Sequence, residues 1–388
     1  MKKWFGLLLV GTYLSMVLYP SSYAFAEGLE LESASVVLME AASGEILYEK
    51  EMDAQRIPAS VTKLMTLLIA CEAIEQGRGS MDDVVVASEH AASLGGSQIY
   101  LESGEKMLLQ DLLVAIAVGS ANDACVAVAE HLYGSEEAFV TEMNQKAEAL
   151  GMKNTHFCNP YGLPEEGHYT SAHDLALLGQ QALQNSNVMK LTAIKHYTLR
   201  GETSKPFELH NTNKLLWWYP GADGFKTGWV GQNSGYCLAS TAQKDDMRLI
   251  AVVLGAQERY GNFRDAMKLF NYGFANYYYE PLFEKNQMLS AIPVEKGEQD
   301  SVDVGVLEKA GLVRAKQDQA ELSIQYQLPT ALKAPLKAGD IIGKADIWQA
   351  DKLVASYDLA ILQDVEKCSW FAQLKRVCQY MFSLSSRF

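Results

Sequence analysis

The sequence contains no C-x-x-C pair and no H-E-x-x-H, the units from which common redox and zinc sites are built. Its six cysteines, Cys71, Cys125, Cys158, Cys237, Cys368 and Cys378, stand singly. Cysteines inside apolar runs read as small core residues rather than bridge partners. No metal or cofactor is expected. Basic residues are in deficit: 33 Lys and Arg stand against 47 Asp and Glu, a net charge of −14. That balance argues against nucleic acid as a partner, because phosphate binding calls for basic patches. Repeats with a period of 20–50 residues and low-complexity tracts are also missing. The apolar run from Trp4 to Tyr19 ends at Pro20 and is shorter than the roughly 20 residues of a membrane span. It follows Lys2 and Lys3 and precedes Ala24 and Ala26 in "YAFAE". A basic start, an apolar stretch and an A-x-A site predict an export signal, residues 1–26, cut after Ala26.

What is present suits a globular protein of two domains: 388 residues, 48% of them hydrophobic and 21% charged. "SVVLMEAASGEILYEK" (35–50) predicts two strands joined by a turn at Ser43-Gly44. Helical patterns follow over 60–76, 110–132, 136–150 and 171–184, the last opening with Ser171 and Asp174 in the manner of a capping box. Strands are predicted at 222–229, 235–242 and 248–255, and a helix from about 263 to 278. Strands at both ends of a helical middle suggest an α/β sheet covered by helices, with a mostly helical second lobe. From 285 to 363 the period changes to two. "SVDVGV" puts Val302, Val304 and Val306 on one face, and "ELSIQYQL" does the same with Leu322, Ile324, Tyr326 and Leu328. This predicts a small antiparallel β domain. Over 366–388 the apolar residues, among them Trp370, Phe371, Phe382 and Leu384, fall at helical spacing opposite Lys375, Arg376 and Gln379. An amphipathic helix lying on a membrane surface is the expectation.

Chemistry concentrates at "IPASVTKLMT" (57–66). Lys63 heads an apolar helix pattern, although lysine is almost never buried without a partner. Ser60, three residues earlier, shares its helix face, and Pro58 suits a helix start. A serine hydroxyl needs an adjacent base to become a nucleophile, and a buried lysine can be that base if its pKa falls. Two further stretches join this pair. "GSANDA" supplies Ser120-Ala121-Asn122, and "DGFKTGWV" supplies Lys226-Thr227-Gly228 at the start of a strand pattern.

S-x-x-K, S-x-N and K-T-G in this order resemble the penicillin-binding protein and β-lactamase set. "GGSQIYLESGEKMLLQDLLVAIAVGSANDA" and "NPYGLPEEGHYTSAHDLALL" are similar to one branch, the low-molecular-mass D-alanyl-D-alanine carboxypeptidases. The resemblance implies a transpeptidase fold of the α/β (α+β) class: an antiparallel sheet covered by helices with a helical lobe, over 27–280. It implies that Ser60 attacks the carbonyl between two D-alanines, that Lys63 takes its proton, and that Ser120 relays a proton to the leaving amine. Asn122 would bond the acyl side chain or Lys63, and Lys226 and Thr227 the terminal carboxylate. Gly228 would let the strand approach the substrate, which pairs along 226–230, and the N–H groups of Ser60 and Trp229 would form the oxyanion hole. Peptidoglycan stem peptides and β-lactams are the implied partners, at the outer face of the bacterial cytoplasmic membrane.

The chain departs from that branch at one place. Its usual arginine before the closing helix is replaced by Asn262 in "YGNFRDAMKLFNYGF", leaving Arg259 and Arg264 as the candidates for the carboxylate. The motifs do not separate a carboxypeptidase from a DD-endopeptidase. A β-lactamase and a silent penicillin-binding sensor fit less well: the first lacks its E-x-x-L-N phrase, and the second has no need of an intact set.

Overall fold

The computed structural model describes residues 29–369, apart from 202 and 204. The export signal and residues 370–388 of the expected amphipathic helix lie outside the described residues. The first hairpin forms as β1 (Ser35–Glu40) and β2 (Ile46–Lys50). A 3-10 turn over Ala59–Thr62 then runs into α1 (Lys63–Glu75), nearly all of it buried.

The pattern over 110–132 predicts one helix, and the structure breaks it. α2 (Leu109–Val114) widens into a π turn over Ala115–Gly119, Ser120 turns left-handed with φ of 60°, and α3 (Asn122–Tyr133) restarts the helix. Side chains on both sides of the break are buried, so the apolar periodicity runs through it unmarked. What breaks the helix is a competing bond: the Asn122 N–H donates to the Ser97 carbonyl at 2.7 Å rather than up its own helix. α4 (Glu136–Ala149) and α5 (Ala172–Gln184) follow, capped by Ser135 and Ser171. Only half of the expected capping box forms, because the Asp174 carboxylate accepts from Asn154 N and Thr155 Oγ1.

A second hairpin, β3 (His196–Leu199) and β4 (Phe207–His210), leads to the short α6 (Leu215–Trp218). Then come β5 (Ala222–Gly228), β6 (Tyr236–Lys244), β7 (Met247–Ala256) and α7 (Gly261–Asn276). The antiparallel sheet has the order β2-β1-β7-β6-β5. Leu249 and Leu38 meet α7 at Gly273, whereas Ile250 and Phe225 meet α5 at Gly179. Adjacent strand residues point to opposite faces, so helices cover the sheet on both sides and its inner strands read as unbroken apolar runs. This leaves β5, with Lys226-Thr227-Gly228, at the free edge.

The β region starts at Tyr277 rather than at 285, since β8 (Tyr277–Phe283) follows α7 directly and pairs with a strand over Ala310–Ala315. Its six-stranded sheet encloses a separate core that includes Val302, Val304, Ile347 and Leu359. "SVDVGV" points inward as expected. In "ELSIQYQL", by contrast, Ile324 and Tyr326 are exposed, because the strand Leu322–Gln327 lies at the sheet's edge with a single neighbour, Ile341–Gln349. The expected helix does not begin at 366 either. Glu366 O accepts from Glu298 N, Lys367 bridges Gly297, and Cys368 N donates to Lys296 O, so the chain is still extended there.

Candidate active site

The 3-10 turn carries Ser60 and sets it against Lys63. Ala59 just before it has φ of 49°, a left-handed conformation unusual for alanine. Gly162 accounts for the tightness: a Cβ there would lie 1.9 Å from the Ala59 carbonyl oxygen. Lys63 is fully buried, and its Nζ reaches Ser60 Oγ at 3.0 Å, Asn122 Oδ1 at 2.7 Å and the Tyr161 carbonyl at 2.6 Å. Burial pulls its pKa down to about 8, with the Asp123 carboxylate working in the opposite sense. A neutral amine has two hydrogens. With Asn122 and Tyr161 accepting both, its lone pair is left for the Ser60 hydroxyl.

Lys226 on β5 is buried too, and its Nζ makes a 3.2 Å bond to the Thr227 carbonyl. Burial, and after it the charge on Lys63, push its pKa down to about 7. Burial thus disfavours the charged form of both amines, and the charge on Lys63 further disfavours that on Lys226.

Ser120 owes its position to the helix break. Its Oγ is buried and has no hydrogen-bond partner among the described residues, a state that natural structures seldom leave unexplained. Asn122 serves Lys63 rather than open space, since its Nδ2 donates to Gly95 O at 2.7 Å. Ser60, Ser120, Thr227, Gly228, Trp229 and Arg259 all line one cavity of about 280 Å³. Lys63, Asn122 and Lys226 stand behind them. At Gly228 a Cβ would lie 2.8 Å from Pro58 O and 2.9 Å from the nitrogens of Ser60 and Val61, so only glycine lets the edge strand lie against the nucleophile turn. Trp229 is half exposed and stacks on Tyr236, with ring centroids 6.0 Å apart.

The two arginines separate. Arg259 lines the cavity, its guanidinium 4.7 Å from the centre of the Tyr260 ring. Arg264 does not line it: its Nη2 is 2.7 Å from Glu32 Oε1 and its Nη1 donates to Arg259 O. That ion pair takes up its charge, and the expectation for Arg264 is corrected. Asn262 is buried, tied through Nδ2 to the Cys237 carbonyl of β6.

Several working residues carry no sequence signal of their own. Asp123 is buried and accepts from the N–H groups of Ile99, Leu101 and Ala124, which anchors the loop holding Ser97 at the cavity. His168 accepts the Cys158 N–H at Nδ1, which leaves Nε2–H for Thr62 Oγ1 at 3.0 Å. Burial lowers its pKa to about 4, so it stays neutral. Thr212 joins Thr227 at 2.7 Å.

Comparison with known proteins identifies relatives of the chain. Residues 22–258 match the sequence model of the D-alanyl-D-alanine carboxypeptidase family, and residues 277–367 that of the penicillin-binding protein 5 C-terminal domain. The chain is 39% identical over 382 residues to D-alanyl-D-alanine carboxypeptidase DacF of Bacillus subtilis, covering 97% of this chain and 98% of that one. Penicillin-binding protein 5 from Haemophilus influenzae superposes with a TM-score of 0.75 at 32% identity, over 88% of this chain and 100% of that one. Penicillin-binding protein D2 from Listeria monocytogenes, in its ampicillin-bound form, superposes with a TM-score of 0.58 at 31% identity, over 64% and 100%.

Proposed function

Because this chain belongs to the D-alanyl-D-alanine carboxypeptidase family, we infer that it is a serine peptidase that removes the terminal D-alanine from peptidoglycan stem peptides, and that its residues divide the work as follows. Neutral Lys63 takes the Ser60 proton as Oγ attacks the carbonyl carbon between the two D-alanines. The N–H groups of Ser60 and Trp229 hold the oxyanion, a contribution typically worth about 10²–10³ in rate per donor. When the tetrahedral intermediate collapses, the C–N bond breaks, and Ser120 Oγ passes the proton from Lys63 to the leaving amine. Lys63 then takes a proton from water, which attacks the ester, and returns it to Ser60 Oγ as the ester C–O bond breaks and the shortened stem leaves. Lys226, Thr227 and Arg259 bind the terminal carboxylate. The incoming charge favours protonated Lys226. Penicillin acylates the same serine.

The observation that carries this reading is Lys63 Nζ at 3.0 Å from Ser60 Oγ, with its other two partners both acceptors. D-alanine release from a peptide ending in D-Ala-D-Ala tests it: the full chain should release D-alanine and Ser60→Ala should not. Release from both, or from neither while both stay folded, would count against it. Export and attachment to the outer face of the membrane through 366–388 belong to the same proposal. Because Lys367 is still bridged to Gly297, the proposed anchor is taken to begin after it, and flotation with liposomes should be lost on truncation after Ser369.

A further inference from the structure

We propose that an exposed cationic and aromatic face, built from β3, β4 and α6 and running into the mouth of the catalytic cavity, holds the anionic sugar-peptide polymer that carries the scissile stem. This rests on the function proposed above and adds a second contact remote from the reacting bond.

The face begins at α6. Leu215 and Leu216 take its buried positions, which turns Trp217 and Trp218 outward, 40% and 46% exposed. Isolated exposed apolar residues are ordinary, but these two are not isolated. Lys195 Nζ lies 5.7 Å and Lys214 Nζ 5.2 Å from the centre of the Trp217 ring. The His196 ring meets the same indole edge-on at 5.6 Å and pairs across the hairpin with His210, Nδ1 to Nδ1 at 2.7 Å. Neither lysine has a carboxylate partner among the described residues. Glu208, on the same hairpin face by strand register, accepts from Thr198 Oγ1. On a chain of net charge −14, an open cluster of this sign is a local exception.

The face joins the cavity through two elements. Trp218 packs edge-on against Tyr260 and Phe263, at 5.4 and 5.6 Å, and both of those line the cavity. Thr212, between β4 and α6, lines it as well. Arg259 stacked on Tyr260 continues the row of ring-supported cations to the mouth. Trp217 is therefore one residue along the chain from the ring contacts of Trp218 that reach the cavity, and this continuity with the mouth favours the substrate's own polymer over a lipid surface. The chemistry is complementary: sugar rings offer flat C–H faces to indole, and stem peptides carry carboxylates for the lysines.

The test compares two substrates of the full-length protein: a short soluble peptide ending in D-Ala-D-Ala and isolated wall polymer bearing the same stems. Lys195→Glu and Trp217→Ala should each lower D-alanine release from the polymer by roughly tenfold and leave short-peptide turnover unchanged. Polymer co-sedimentation should fall in parallel and, for the wild type, weaken with salt. Lys195→Glu is a surface change, so the test stands if Trp217→Ala fails to fold. Equal rates on both substrates in the variants, or binding lost to anionic vesicles instead of polymer, would overturn the proposal. Absence of short-peptide turnover in the wild type would count against the proposed function, and co-sedimentation would still judge the face.

Discussion

At the residue scale, the decisive fact is how differently the two buried lysines are satisfied. Lys63 has three hydrogen-bond partners; Lys226 has one long bond to Thr227 O. Lys63→Met should leave a folded protein that neither acylates with penicillin nor releases D-alanine, and acylation at the wild-type rate would remove Lys63 as the base. In the wild type, kcat/KM should climb with pH toward a plateau above about 8 as Lys63 becomes neutral. Lys226 bears on stability. Its folded pKa of about 7 lies below the ordinary lysine value of 10.5, so between those pH values the unfolded chain binds more protons and stability rises with pH. Below about 7 the burden of a buried charge is fully present. Lys226→Met should therefore raise Tm most near pH 6, with the gain shrinking as pH approaches 10, read by thermal denaturation across pH. Ser60, Lys63, Ser120 and Lys226 were all legible in the sequence, because chemistry constrains their side chains. The Tyr161 carbonyl was not, since a backbone oxygen has no residue type to announce it. Asp123 was hidden too, because its work is to bind backbone N–H groups of a distant loop.

Elements explain what single residues do not. Nothing in the periodicity of 110–132 marks the break at Ser120, because its flanks are equally apolar and equally buried. The break depends on Ser97, which the folded chain brings to Asn122 from a separate loop. It is also what lifts the Ser120 hydroxyl out of a helix and into the cavity. The edge position of β5 matters in the same way. Sequence periodicity located the strand, but only the sheet order reveals that its outer side is free for an extended peptide. Gly228 ties the strand to the nucleophile turn. Gly228→Ala should abolish acylation while keeping most of the stability, because the methyl group meets Pro58 O, Ser60 N and Val61 N, not the sheet core. Acylation kinetics with penicillin beside a thermal melt would show the two effects apart, and near-normal acylation would mean that strand and turn can separate without harm.

At the scale of the whole molecule, the described residues give the β region a hydrophobic core of its own, and its separation from the core beneath the catalytic site decides how damage spreads. The latter packs α1, α3 and α5 with the five-stranded sheet; the former fills the β region around Val304, Ile347 and Leu359. Period-two alternation made the β-region core legible at Val302, Val304 and Val306. The same alternation misread Ile324 and Tyr326, since a pattern gives a face but not whether another strand lies beside it. Between the two regions run an exposed ion pair, Lys309 to Asp246 at 3.2 Å, the backbone bond from Lys316 N to Asn276 O, a bond from Lys316 Nζ to Phe274 O at 2.9 Å and an edge-on contact of Tyr272 with Tyr277. An exposed ion pair contributes about 0–1 kcal/mol, so the expectation is that these few surface contacts leave the two cores to unfold separately. Ile347→Ala, at a fully buried position, should destabilise the β region by about 2–5 kcal/mol. Two thermal transitions are then expected. The variant lowers only the one belonging to the β region, and penicillin, bonded to Ser60, raises only the other. D-alanine release from a short peptide should survive in Ile347→Ala at temperatures where the β region has melted. A single transition that moves with either change would mean that the cores unfold together, with the β region acting as a necessary support of the catalytic sheet.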